Sequence, residues 1–308
     1  MKHPFWLLLP ILILVSPFLS ACGQPVSKAE GVKVVASTTL IADVVKQVGL
    51  DRVAVTALLP AGADPHTFEP RPRDMAALSD ADVVFINGLH LEEALEPTLK
   101  ANVRGSLVEV SEGIDPLPFL DANEGKVGET GHGAGDPHTW MDPNNAIVWA
   151  QNIAAALSKA DPANAETYQS NAEAYIAELR ALDQWIRQQV EQVPDGRRKL
   201  VTDHAIFGYF ADQYGFEQVG LVVPALSTNA APSAQELAEL EDAIHAQGVT
   251  AIFVGNTVNP ALSEQVARDT GAKPIFVYTD SLGEAGSEVD SYIKFMRYNV
   301  RAILDGLK

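Results

Sequence analysis

The sequence predicts an α/β fold of two related lobes with mainly parallel sheets, joined by one long connecting helix. Three observations carry that expectation. Short β-branched runs alternate with helical patterns in both halves of the 308-residue chain, the pattern of parallel strands crossed by helices. The order of elements in residues 32–160 recurs in residues 194–308 at an offset of about 165–168 residues, which marks an internal repeat. Between the halves, the run from Ala163 to Val193 holds neither glycine nor proline, as an uninterrupted helix requires.

At the start, Met1-Lys2-His3 leads into an apolar stretch from Phe5 to Leu19 that Pro10 and Pro17 interrupt. One positive charge, a short apolar core and small residues before the cut read as an export signal over residues 1–21, not a permanent membrane span. Leu19-Ser20-Ala21-Cys22 resembles a bacterial lipobox. Cys22 is therefore expected to carry a lipid that anchors the mature chain to a membrane, with residues 22–31 as a polar tether. Cys22 is the only cysteine, so no internal disulfide can form and stability must come from the core. Acidic residues outnumber basic ones 40 to 22, a formal charge of −18 that becomes −19 once Lys2 leaves with the signal. Such a balance excludes a nucleic-acid surface and draws cations.

In the first lobe, Lys33–Thr38 reads as a strand, followed by a helix through Val48 that stops at Gly49. Val53–Leu59 is a second strand, Pro72–Ser79 a helix, and Val83–Ile86 a buried strand that ends at Asn87-Gly88. The connecting helix is expected over residues 161–193. Asp161 serves as its cap, Pro162 lies in its first turn, and Pro194-Asp195-Gly196 stops it. About thirty helical residues span about 45 Å, more than one lobe needs. The second lobe repeats the first: a strand at Lys199–Thr202, a helix to Tyr214-Gly215, a strand at Val219–Val223, a helix after Ser233 and a buried strand at Thr250–Val254.

Chemistry concentrates in two near-copies of one phrase, Asp64-Pro65-His66-Thr67-Phe68 and Asp136-Pro137-His138-Thr139-Trp140, and in Asp203-His204. Neutral imidazole offers one ring nitrogen to a metal while a carboxylate holds the other, so an aspartate one or two residues before each histidine suits a metal centre. The prolines present each histidine from a stiff turn. His66 follows a strand, His204 follows Val201-Thr202 directly, and Asp280 follows the apolar run Ile275–Tyr278. Ligands collect at such carboxyl ends of parallel strands. His138 precedes Asp142-Pro143, a helix start. If the sheets face one another, His66 and His138 come from one lobe and His204 and Asp280 from the other. Three imidazoles and a carboxylate complete a shell of four, or of five if the carboxylate is bidentate. Taken alone, His204 serves equally well as a helix cap and Asp280 as a turn residue. His90 is expected to pack or solvate near the cleft, His245 to be exposed, and His132 to lie in a Gly- and acid-rich loop at 123–135.

Five segments together resemble the zinc/manganese-type solute-binding lipoproteins of bacterial ABC transporters, over about residues 32–308. They are Gly-Ala-Asp-Pro-His-Thr-Phe-Glu-Pro at 62–70, Asn-Gly-Leu-His-Leu-Glu at 87–92, Asp-Pro-His-Thr-Trp-Met-Asp-Pro at 136–143, Thr-Asp-His-Ala-Ile-Phe-Gly-Tyr-Phe at 202–210 and Tyr-Thr-Asp-Ser-Leu-Gly at 278–283. The resemblance implies one metal ion in the cleft between the lobes, with His66, His138, His204 and Asp280 as its ligands. It also implies a monomer at the outer face of the cytoplasmic membrane or in the periplasm, with an ABC permease and its ATPase as partners. The hinge it implies permits only a slight lobe tilt.

Imidazole-rich shells suit Zn2+, whereas Mn2+ favours oxygen. Relatives tuned to manganese often carry a glutamate where this chain has His204, so zinc is expected, with manganese or iron as alternatives. Two features depart from the family pattern: residues 123–135 contain one histidine, and Gly255-Asn256 stands where a glutamate is frequent. A reading of another class is an extracellular zinc hydrolase with Asp280 or Glu69 as base. A third is an adhesin that holds metal for stability. No His-Glu-x-x-His, Gly-x-Ser-x-Gly or phosphate-loop motif is present.

Overall fold

The computed structural model describes residues 31–121, 126–127, 135–223, 228 and 230–308. The expected export signal, Cys22, the tether up to residue 30 and His132 lie outside the described residues.

The first lobe is built from β1 (Val32–Ala36), α1 (Thr39–Gly49), β2 (Val53–Ala57), α2 (Pro72–Asp80), β3 (Val83–Ile86), α3 (Glu96–Asn102) and β4 (Ser106–Glu109). A short antiparallel pair, β5 (Leu120–Asp121) with β6 (Lys126–Val127), follows. Then come α4 (Pro143–Ala160) and α5 (Ala165–Val190). The second lobe comprises β7 (Lys199–Thr202), α6 (Gly208–Tyr214), β8 (Glu217–Leu221), α7 (Ala234–Gln247), β9 (Ala251–Gly255), α8 (Ala261–Thr270), β10 (Lys273–Val277) and α9 (Tyr292–Gly306).

Both four-stranded sheets are parallel. Their orders are β2-β1-β3-β4 and β10-β9-β7-β8. Read from its other edge, the second is the first: each lobe places its first strand between its second and third. The predicted repeat is thus a repeat of topology. Central strands β3 and β9 are buried along their whole length, as strands covered by helices on both faces must be.

Local signals explain the helix starts. Thr38 accepts from Ile41 N–H to cap α1, and Asp142 accepts from Asn144 N–H to cap α4, with Pro143 at its first position. Ser233 and Glu236 close a reciprocal capping box on α7.

The helical run starts at the expected place and ends at Val190, short of the expected Val193. Asp161 closes α4 and precedes Pro162–Asn164, a single 3-10 turn that runs directly into α5. The Asp161 carboxylate takes the Asn164 amide and the Tyr168 hydroxyl, which fixes the corner where the chain reverses. The 26 residues of α5 cover about 39 Å at 1.5 Å each, and the helix packs along α4 and also against α1, where Asn171 donates to Val48 O, and α9, whose Arg297 lies over Trp185. One continuous apolar cluster includes Val34 and Phe85 of the first lobe, Trp149 of α4, Leu179 and Ile186 of α5, and Leu200, Phe253 and Phe295 of the second lobe. Smaller clusters fill the outer face of each sheet. Among the described residues, no helix is long and apolar enough to cross a membrane.

Candidate metal centre

His66, His138, His204 and Asp280 converge between the lobes, with one potential donor atom from each lying within 4.8 Å of every other. Ring centroids of the three histidines stand 5.3, 5.5 and 6.1 Å apart, a triangle of imidazoles around a point. His138, His204 and Asp280 are buried, and His66 is partly exposed. Among the described residues this is the only such group of histidine, cysteine and acidic side chains.

Each donor is placed by the end of a strand or the start of a helix. His66 stands in the turns that follow β2, and its backbone N–H donates to Asp64 Oδ1 at 2.9 Å. His138 opens the turn before α4, where its N–H donates to Asp136 Oδ1. His204 and Asp280 lie just past β7 and β10, at the carboxyl edge where parallel sheets gather ligands.

The carboxylate support is uneven. Asp136 Oδ1 lies 2.7 Å from His138 Nδ1, and Asp203 Oδ1 lies 2.8 Å from His204 Nδ1. A proton held between these pairs leaves Nε2 of each ring as a lone-pair donor. Asp64 departs from the expectation because its oxygens are taken by the His66 backbone, the Thr67 hydroxyl and, from the other lobe, the Thr228 hydroxyl. It braces the loop and not the ring.

Close approach by two glycines tightens these supports. A Cβ at Gly208 would collide with Asp136 Oδ2, and one at Gly255 would stand 2.8 Å from Asp203 Oδ2. The Gly255 N–H instead donates to that Asp203 oxygen. Asp203 is therefore held by the backbone of Gly255, which with Asn256 stands where the family frequently has a glutamate.

Sequence reasoning noted the Asn87–Glu92 segment without a role for it. Gly88, Leu89 and His90 adopt positive φ of 83°, 52° and 63° in succession, a costly conformation for the last two. Buried Glu92 holds this turn, accepting from Ser37 Oγ, Asn87 N–H and Gly88 N–H. Asn87 then donates to Pro137 O at 2.9 Å and accepts from Ser111 Oγ and, more weakly, Thr139 Oγ1. The strained turn thus braces the segment that presents His138. His90 itself is exposed, as is His245.

Electrostatics favour a cation. His66 Nε2 faces His138 Nε2 at 3.2 Å, and burial, then the neighbouring His138 ring, holds the His66 imidazole down to about 3. Burial works against charge on His204 too, but the Asp203 and Asp280 carboxylates together outweigh it and push that imidazole well up. Burial would raise the Asp280 carboxyl, yet the His204 ring beside it prevails and keeps it below the usual range. His204 Nε2, 3.6 Å from Asp280 Oδ2, and Asp280 Oδ1 are buried with no hydrogen-bond partner among the described residues. Unpaired buried polar atoms are costly, and a divalent ion bound to both removes that cost. Glu69 is exposed and is not among the four converging residues.

Comparison with known proteins places the chain among relatives of one family. Residues 34–306 match the family model described as ZnuA, zinc-uptake complex component A periplasmic. The manganese-binding lipoprotein MntA of Halalkalibacterium halodurans is 34% identical over 302 residues, 96% of this chain and 97% of that one. The iron ABC transporter substrate-binding lipoprotein MtsA of Streptococcus pyogenes serotype M1 is 31% identical over 297 residues, 94% of this chain and 93% of the other. Among solved structures, the periplasmic zinc binding protein TroA from Treponema pallidum superposes with a TM-score of 0.80 at 28% identity, covering 90% of this chain and 99% of its own.

Proposed function

This chain belongs to the ZnuA family of metal-binding components of ABC transporters, and we propose that it captures zinc outside the cytoplasm and delivers it to an importer's permease. His66, His138, His204 and Asp280 are the ligands in this reading, and the cytoplasmic ATPase drives uptake. The lipid on Cys22 keeps the carrier at the membrane, as the lipoprotein names of its relatives suggest.

The observation that carries the choice of metal is the donor set, three imidazoles to one carboxylate within 4.8 Å. Nitrogen donors favour zinc over manganese, and four donors match the tetrahedral zinc shell. Manganese and iron keep a claim because relatives are named for them. Direct competition between the three ions on metal-stripped mature protein decides between them. Zinc is expected to bind at about one ion per chain and to displace manganese and iron, and retention of manganese against equimolar zinc would overturn the choice.

Proton release gives a second check on the same sample. His204 must lose its proton to ligate, whereas His66 is already neutral and Asp280 already ionised near pH 7. Zinc binding therefore releases the His204 proton, and affinity rises about tenfold per pH unit near neutrality. Calorimetry in buffers of different ionisation enthalpy measures that proton. An affinity independent of pH between 6 and 8 would show that the His204 ring is already neutral before zinc binds.

The uneven carboxylate support has its own consequence. Asp136→Asn and Asp203→Asn each weaken zinc binding by about 10–100-fold, because each removes the carboxylate on a ligand ring. Asp64→Asn costs less than either. Equal losses from all three substitutions, measured against a competing chelator, would contradict the geometry.

A further inference from the structure

We propose that Ser281 clasps the loop that carries His66 to the opposite lobe and thereby sets how fast the site releases its ion. The proposal rests on the ligand assignment above and goes beyond it, because it concerns a side chain that touches no metal.

The polar ties of this loop run across the cleft. On either side of His66, Ala63 and Phe68 pack against the outer apolar cluster of the first lobe. Pro60–Ala63 closes a turn, with Ala63 N–H donating to Pro60 O at 3.1 Å and Gly62 at a φ of 76°, a left-handed position that glycine adopts without strain. The turn leaves the Gly62 N–H outside its own hydrogen bond. That N–H donates at 2.8 Å to Ser281 Oγ of the second lobe. Further along the same loop, Asp64 accepts from the Thr228 hydroxyl, also of the second lobe.

Ser281 follows Asp280 directly and is 2% exposed. Its own proton goes to Leu282 O at 2.8 Å, which leaves the lone pairs of Oγ for incoming donors. Thr39, the first residue of α1, grips the same segment from the first lobe. Its Oγ1 accepts from Leu282 N–H at 2.9 Å and donates, more weakly, to Ser281 Oγ at 3.5 Å. Ser281 is thus joined to Asp280 by a peptide bond and to the His66 loop by a hydrogen bond, so one serine links ligands of opposite lobes.

His66 depends on this link more than the other rings do. His138 and His204 each have a carboxylate on Nδ1, whereas Asp64 braces the His66 loop and not the ring. A loop freed from Ser281 spends part of its time with the imidazole away from the other donors, and apparent affinity falls with the competent fraction. Capture begins on the three donors that stay in place, so the loss falls on release. Ser281 is therefore a positioning residue that acts through the His66 loop.

The test follows zinc release into excess chelator by stopped flow, from the parent, Ser281→Ala, His66→Ala and the double variant. Ser281→Ala is expected to release zinc about tenfold faster, the scale of one hydrogen bond, with an association rate within about twofold of the parent. In the His66→Ala background, Ser281→Ala is expected to change release by less than about twofold, because the loop then carries no donor. A serine that merely stabilises the fold would speed release by the same factor in both backgrounds. Equal factors therefore overturn the proposal, as does an unchanged rate in Ser281→Ala alone. Amide hydrogen exchange in the zinc-loaded parent tests the contact without any substitution. Gly62 is exposed, so slow exchange of its N–H is expected from the Ser281 bond, and exchange as fast as that of an open loop would overturn it. Unchanged zinc affinity in His66→Ala would instead overturn the ligand assignment. Weakened binding in His66→Ala with an unchanged rate in Ser281→Ala removes the role of Ser281 alone.

Discussion

Replacing His138 by alanine lowers zinc affinity by about a hundredfold or more. Apparent binding free energies of structural zinc sites, about 10–16 kcal/mol, divide over four ligands into about 3 kcal/mol each, and 1.4 kcal/mol is a factor of ten. His138 should lie at the upper end of that range. It is 1% exposed, so water reaches the gap poorly, and its ring is pre-oriented by Asp136 at 2.7 Å and by the edge of Trp140, 5.3 Å away between centroids. Among the described residues no fifth histidine, cysteine or acidic side chain joins the group to replace it. Competition with a chromophoric chelator measures the loss, and the melting temperature of the metal-free variant separates ligand loss from misfolding. An affinity within threefold of the parent, in a folded protein, would falsify the ligand assignment.

Trp140→Ala is expected to cost about 3–5 kcal/mol of stability, the range for emptying a buried aromatic site. Trp140 is 1% exposed, packs at 6.3 Å from Trp149, and donates from Nε1 to Thr279 O at 2.9 Å across the lobes. Alanine removes the volume and leaves a buried carbonyl without its donor, and both effects add to the loss. Tyr292 still donates to the Trp140 carbonyl, so the backbone at this point keeps one interlobe bond and the chain should still fold. Trp140→Phe retains most of the packing and isolates the lost hydrogen bond, at about 1–3 kcal/mol. Denaturant titration of the metal-free variants provides the measurement. A loss below about 1 kcal/mol for Trp140→Ala would show that the lobes are not stitched together through this ring.

Much of the architecture could be read from periodicity because each strand and helix here follows a local rule. The alternation of runs such as Val83–Ile86 with capped helices survives in the structure, and the repeat became two sheets of one topology. The start of the long helix at Asp161-Pro162 was legible because a proline in the first turn after an aspartate is a local signal. What the sequence did not show is that Asp161 also closes α4 and holds Tyr168 at the corner, which depends on how the helices fold back. A similar limit applies at Asp64. Its spacing to His66 matches that of Asp136 to His138, but Thr228 from the distant lobe takes one of its oxygens, and no local pattern reveals a partner 164 residues away. Thr257, which donates to Asp280 Oδ2, is by contrast within reach of strand register. Aligning the apolar runs Ala251–Gly255 and Lys273–Val277 as neighbouring parallel strands places Thr257 and Thr279 at matching stations past their ends.

The four donors are not equally committed, and that governs how long cargo stays. Two imidazoles are clamped by carboxylates and the aspartate by a hydroxyl, while His66 is partly exposed and, among the described residues, has no carboxylate bonded to its ring. With the ligand set proposed above, release is expected to begin with the His66 imidazole swinging away, a side-chain rotation, while the apolar cluster that includes α5 stays intact. Dwell time and equilibrium tightness become separable quantities. A carrier of this design can hold its cargo firmly in transit and still surrender it quickly when a docking surface displaces one loop.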